Sequence, residues 1–224
     1  MTLADIIERV RRNPLEDYIT PYLWSDDEIT DVCNTAIDDL CEQCFLIEDS
    51  TTTAICDVAV VKDTAIYTID SRIIKIIRVR LSTAKVILVP KTIEYMDAYN
   101  TNWEDAASGT PSIYITDGFG RNKIRLYLTP DAADTLKLIV FRRQATSLTV
   151  TDMSKSPEIP TEYHPYLFDG IAFRLFQKQD VDSVDPQKEA KHYKLWNLNI
   201  EEIKRKELRR KQGDMVAVPH LANI

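Results

Sequence analysis

The hydrophobic period changes twice along this 224-residue chain, and that change constrains the fold more than any single motif. Up to about residue 46, apolar residues recur every three to four positions, the period of a helix. From 54 to 142 they fall in short runs rich in Ile, Val and Tyr, which read as strands. From 163 the helical period returns. Neither flanking helical segment has enough partners to bury its apolar stripe alone. Packed together, they make a small bundle with the strands inserted between the second and third helices. The expected class is therefore α+β: a small helical bundle formed by the N- and C-terminal helices, with an inserted antiparallel β domain. The expected divisions are 1–50 for the first bundle helices, 51–145 for the β insert, 160–210 for the last bundle helices and 211–224 for an extended arm.

Local signals place the elements. Leu3, Ile6, Ile7 and Val10 mark a short helix that stops before Pro14. "SDDE" at 25–28 is a capping box, in which Ser25 accepts from the Glu28 amide and Glu28 reaches back. It opens a helix to about Leu46 whose stripe is Ile29, Val32, Cys33, Ala36, Ile37, Leu40 and Cys44. Strands follow in "AICDVAVVKDTAIYTID", "IIKIIRVRLS" and "KVILVP", then a short helix "TIEYMDAYN". "SIYITD", "KIRLYLTP" and "TLKLIVFRRQ" are three more strands. "DGFGRN" joins the first two of these as a hairpin, and "PDAADT" links the next two. A helix is expected over 163–179. Another starts at Asp185 as N-cap, with Pro186 at its first position, and runs to about Arg210 through Ala190, Tyr193, Trp196, Ile200 and Ile203.

The helix over 163–179 is apolar on nearly every side, which signals burial without naming the covering surface. It is either fully internal, or it offers Tyr163, Phe168, Phe173 and Phe176 to a neighbouring subunit, with Gly170 allowing a second backbone to approach. The last residues bear on the choice. Met215, Val216, Val218 and Leu221 would leave a free tail exposing apolar surface, and their expected use is insertion into a groove on another chain.

Chemistry-bearing motifs are scarce. "CEQC" at 41–44 lacks the second ligand pair of a zinc site. Cys33 and Cys44 lie about 20° apart on a helix, on the face of Ile37 and Leu40, so buried apolar thiols are expected. His164, His192 and His220 are far apart and no nucleophile or acid motif accompanies them. The glycines of "DGFGRNK" sit between strands and not before a helix, unlike a P-loop. "DVDSVD" lacks the glycine and closing glutamate of a calcium loop. No enzyme activity, cofactor or metal is expected. No apolar run approaches the ~20 residues of a membrane span, and the N-terminus has charges inside its apolar pattern, so synthesis in a cytosol is expected.

Formal net charge is −7, which does not suit a compact nucleic-acid reader. The last helix is the exception, with Lys204, Arg205, Lys206, Arg209, Arg210 and Lys211 near its end. Cations there also favour the helix dipole. The run reads as a solvated helix end or as a docking element for an acidic partner, and a nucleic-acid-binding or regulatory role is the alternative function.

Several phrases, in order along the chain, resemble the adaptor, or head-to-tail connector ring, proteins of tailed bacteriophages. They are "LWSDDEITDVCNTAIDDLCEQC", "AIYTIDSRIIKIIRVRL", "GTPSIYITDG" followed by "KIRLYLTPDAADTLKLIVFRR", and "IPTEYHPYLFDGIAFRLFQKQD" followed by "EAKHYKLWNLNIEEI", spanning about residues 22–208. The resemblance implies a structural virion protein with no enzymatic activity, made in the bacterial host. It implies a homo-oligomeric ring, twelve-fold in such families, that docks on the portal protein through a C-terminal extension. Such a ring extends the channel for double-stranded DNA and presents a platform for a downstream tail or nozzle protein at the head-tail junction. The docking residues expected on this reading are Lys204, Arg205, Arg209, Arg210, Met215, Val216, Val218 and Leu221.

Overall fold

A computed structural model describes residues 1–178 and 185–213, with the side chains of 212 and 213 left aside. The chain divides into two compact units: Met1–Leu46 with the described part of the segment from Thr146 onward, and Ile47–Ala145.

The first unit is all helical. Helix α1 (Leu3–Val10) opens on a capping box between Thr2 and Asp5 and buries Leu3, Ile6, Ile7 and Val10. Helix α2 (Asp26–Cys44) opens on the Ser25–Glu28 capping box that the sequence signals, and ends where Phe45 takes a left-handed conformation. Its buried face holds Ile29, Cys33, Ala36, Ile37, Leu40, Cys41 and Cys44. The linker after Thr146 is tied down by side-chain and backbone bonds. Asn34 donates to the Leu148 carbonyl and accepts from its amide, both at 2.9 Å, and Leu3 N donates to Lys155 O at 2.8 Å.

Three short helical elements of the chain, α3 (Thr53–Cys56), α4 (Ile93–Tyr99) and α5 (Leu167–Phe176), precede the long α6 (Pro186–Gly213). The helix expected over 163–179 is two pieces: a 3-10 turn at Thr161–Tyr166, which contains Pro165, and then α5. Proline has no amide to donate and cannot sit inside a regular α-helix, so the regular turn begins after it. Asp185 caps α6 as the sequence indicates, accepting from Gln187 N at 3.1 Å and Lys188 N at 3.0 Å. Helix α5 contacts α1, α2 and α6, which answers its all-round apolarity from within one chain. Gly170 admits not a second backbone but the Trp196 indole: a Cβ there would lie 2.6 Å from Trp196 Cζ3.

The second unit is a curled, mixed eight-stranded sheet: β1 (Ile47–Asp49), β2 (Asp57–Val60), β3 (Ile66–Thr68), β4 (Ile73–Leu81), β5 (Ile87–Pro90), β6 (Ile113–Ile115), β7 (Lys123–Tyr127) and β8 (Asp134–Arg142). The order is β1-β8-β4-β5-β6-β7-β3, with β2 also on β8. Val60, Tyr67, Val79, Leu88, Tyr114, Leu126 and Leu136 share one apolar core. Strands from both ends of the order thus meet, and this requires the sheet to curl.

Three details differ from the sequence expectation. Residues 53–56 form a helical turn and not the start of a strand, and β1 was not expected. The insert is not wholly antiparallel, because β5 and β6 run parallel, Val89 facing Ile113. Parallel neighbours need a long crossover, and the segment carrying α4 supplies it. "DGFGRN" does close the β6–β7 hairpin, with Gly118 and Gly120 at positive φ. "PDAADT" links β7 to β8 without pairing them, since β7 pairs with β3 and β6.

Candidate docking surface

The end of α6 is the region to which the sequence assigns docking. Three of its cations stand one turn after acids and pair with them along the helix. Lys204 bridges Glu201 at 3.0 Å, Lys206 bridges Glu202 at 2.7 Å, and Arg210 reaches Glu207 at 2.9 Å. These spacings of three and four residues bring side chains together on one helix face. They were visible in the sequence, but only as a charge run.

Two of these acids also clamp the 3-10 turn. Tyr163 Oη donates to Glu207 Oε1 at 2.9 Å, and Tyr166 Oη donates to Glu202 Oε1 at 2.9 Å. Burial, then the Glu207 carboxylate, push the Tyr163 phenol well above its usual range. Glu207 is buried with a phenol and a guanidinium on its two oxygens, so it is a structural carboxylate.

Arg205, Leu208 and Arg209 remain, at i, i+3 and i+4 on one face, all exposed. Leu208 is 54% exposed, an apolar residue between two cations. Sequence reasoning missed it, because a lone leucine in a charge run carries no periodic signal. Of the other residues expected to dock, Lys204 and Arg210 are paired as above. Met215, Val216, Val218 and Leu221 lie outside the described residues.

The aromatic set of the third predicted helix is divided. Tyr163 is 2% and Phe176 3% exposed, both covered by their own chain. The Phe176 ring meets the Trp24 ring edge-on at 5.7 Å and the His192 ring at 6.0 Å. Phe168 and Phe173 are half-buried and are the members of the set with surface to offer.

The polar clusters elsewhere in the helical unit act as fasteners. Arg11, 5% exposed, donates to Asp17 at 2.6 Å, to Trp24 O at 2.7 Å and to Asp26 at 2.7 Å. Asp17 also accepts from Leu23 N at 2.8 Å, so the 16–24 loop is fixed on both sides. His192 Nδ1 lies 2.8 Å from Asp169 Oδ1, whose other oxygen accepts from Asn199 at 2.9 Å, joining α5 to α6. His164 is fully buried, 3.0 Å from Ile159 O and 3.1 Å from the chain's amino group, and burial lowers its pKa. Cys33, Cys44 and Cys56 are buried, and burial pushes their thiols up to about 12, about 11 and about 11. Thiols so protonated are packing groups. Among the described residues, no group of three or more His, Cys, Asp or Glu is placed to hold a metal ion. No helix among them is long and apolar enough to cross a membrane.

Compared with known proteins, the chain matches the family described as SU10 adaptor protein over residues 1–219. No curated protein matches it.

Proposed function

Since the chain belongs to the SU10 adaptor protein family, a phage head-to-tail adaptor family, we propose that it forms a ring beneath the portal protein. Membership makes it a structural component of a bacteriophage virion that works with other virion proteins. In the proposed assembly, copies of the chain form a twelve-fold ring that extends the DNA channel and carries the tail or nozzle protein. The match over residues 1–219 carries this reading.

Two features of the chain support it. The exposed Arg205–Leu208–Arg209 face leads into the apolar "MVAVPHL" segment, so the end of α6 and the segment beyond form one portal-docking element. An apolar centre with cationic flanks suits a protein groove better than a phosphate backbone, which demands unpaired cations in number. A net charge of −7 also suits a wall past which DNA must slide without sticking.

The test is truncation after Arg210, mixed with portal particles and viewed by electron microscopy. The full chain is expected to decorate the portal as a ring. The truncated chain is expected to keep its circular dichroism spectrum and lose docking. Normal docking by the truncated chain would remove the assignment of this element.

A further inference from the structure

Charge is segregated along this chain more sharply than its total suggests. Between Asn13 and Val61 there are twelve carboxylates and no Lys or Arg. Between Ser71 and Ile93 there are six cations and no carboxylate.

The cationic run supplies Arg78 and Arg80 to the face of β4 opposite the core. Val79, Leu81 and Leu88 point into the core, so Arg78 and Arg80 lie on the opposite face, both half-buried, with Arg78 Nε covered and unbonded and Arg80 beside Ile87 and Lys137. A register shift between Ile76 and Arg78 breaks the alternation, and Ile77 is exposed there. Neither guanidinium has an ion-pair partner among the described residues. Ile77, Ile87 and Val89 are 44%, 55% and 49% exposed around them. An exposed apolar patch rimmed by polar residues marks a surface for a partner, and here the rim holds two unpaired arginines.

The anionic run supplies the matching surface. On α2, Asp27 and Asp31 stand one turn apart, exposed, on the side away from the buried stripe. Just before the Ser25 cap, Tyr22 and Leu23 are also exposed, held by the Arg11–Asp17 fastener. Same-face residues two apart on a strand are about 7 Å apart. Residues four apart on a helix are about 5–6 Å apart. The two charge pairs therefore match in spacing as well as sign, and each borders apolar surface.

We propose that the β4–β5 face of one copy binds the Tyr22–Asp31 face of a second copy, with Arg78 and Arg80 meeting Asp31 and Asp27. The two faces are different surfaces, so the contact is head-to-tail, the kind that closes into a ring. The proposal deepens the adaptor reading above and rests on it. It assigns the subunit contact to these faces and not to the aromatic residues of α5. The occupant is a second copy because this chain itself carries the complementary face. A duplex would meet the same arginines on a chain of net charge −7.

The test is a charge swap in the full-length chain. D27K/D31K alters exposed side chains and R78E/R80E half-buried ones, and circular dichroism checks the fold of both. In sedimentation velocity at low salt, the wild-type chain is expected to associate. Each reversed variant is expected to associate at least about tenfold more weakly, because like charges then face each other. An equimolar mixture of the two variants is expected to recover association, since every contact in an alternating ring is complementary again. Absence of wild-type association, indifference to the reversals, or failure of the mixture to recover would each overturn the pairing. Rings of both variants, each alone, forming normally on portal particles would keep the adaptor reading and sink this pairing only. Retention of duplex DNA by the wild-type chain that is lost in R78E/R80E would overturn it in favour of a nucleic-acid face.

Discussion

The helical unit and the β insert are held in place by different means. In the bundle, apolar stripes alone would let helices slide. Position is set by buried polar fasteners: Arg11 with Asp17, Asp169 with His192 and Asn199, and Glu207 with Tyr163. In the insert, the backbone ladder sets register and a continuous apolar core fills the curl. Polar side chains there tie off ends, as where Asp134 accepts from Thr83 N at 2.8 Å, Ala84 N at 3.0 Å and Thr135 N at 2.7 Å. Where hydrogen bonding is satisfied within each helix, side chains must specify how helices meet. Where it runs between strands, the backbone already does so.

The comparison predicts a graded set of responses. The largest effect is expected from Asp17→Ala, which removes the buried carboxylate from Arg11, leaving it the half-exposed Asp26 and the Trp24 carbonyl, and orphans the Leu23 amide. The lost charge-assisted bond and the orphaned amide together cost about 3–5 kcal/mol. Amide hydrogen exchange should speed up in the bundle and stay unchanged over Ile47–Ala145. Equal loosening of both units would break the comparison. The reciprocal change is Leu136→Ala in the insert core, with an expected cost of about 2–5 kcal/mol. Urea unfolding followed by exchange should place that loss in the insert.

A smaller effect is expected from Gly170→Ala. The new Cβ would sit 2.6 Å from the Trp196 ring, which is flanked by Phe173. Overpacking costs about 1–3 kcal/mol, against a helix-propensity gain of about 1 kcal/mol. A net loss is expected in thermal melts, and a raised melting temperature would show that the α5–α6 contact is loose.

The smallest effect separates the units by pH. His164 is held neutral by burial, with a pKa below 6.5. The unfolded chain therefore takes up its proton first, and bundle stability is lost as pH falls below 6.5. In the insert, burial pushes the Asp134 carboxyl up, but three backbone amides outweigh it and bring it to about 2. That contribution is present above 3.8 and lost as pH falls towards about 2. Mild acid should loosen the bundle first, as read by exchange, and His164→Gln should flatten its slope between neutrality and the carboxylate range.

How much was legible in the residues follows from the same contrast. Capping signals are local, so Ser25 with Glu28 and Asp185 with Pro186 read correctly. The "DGFGRN" hairpin did too, because turn glycines are local. The parallel β5–β6 pair was not legible, since it depends on how a long crossover returns. Nor was the cover of α5, because apolarity states that a surface is hidden and not what hides it. At the end of α6, the proposed docking face, the spacing of Glu201, Glu202 and Glu207 to the following cations was present but masked by a single count of charge.

The bundle is built from two stretches of chain separated by the whole insert, and this shapes its birth on the ribosome. When α2 emerges, its partner α5 is still about 120 residues from being made, a delay of roughly 6–24 s at typical translation rates. The insert is contiguous and can settle during that wait. The stripe of Ile29, Cys33, Ile37 and Leu40 stays uncovered meanwhile, and the dense carboxylates on the same nascent helix are what keep it dissolved until its companion arrives.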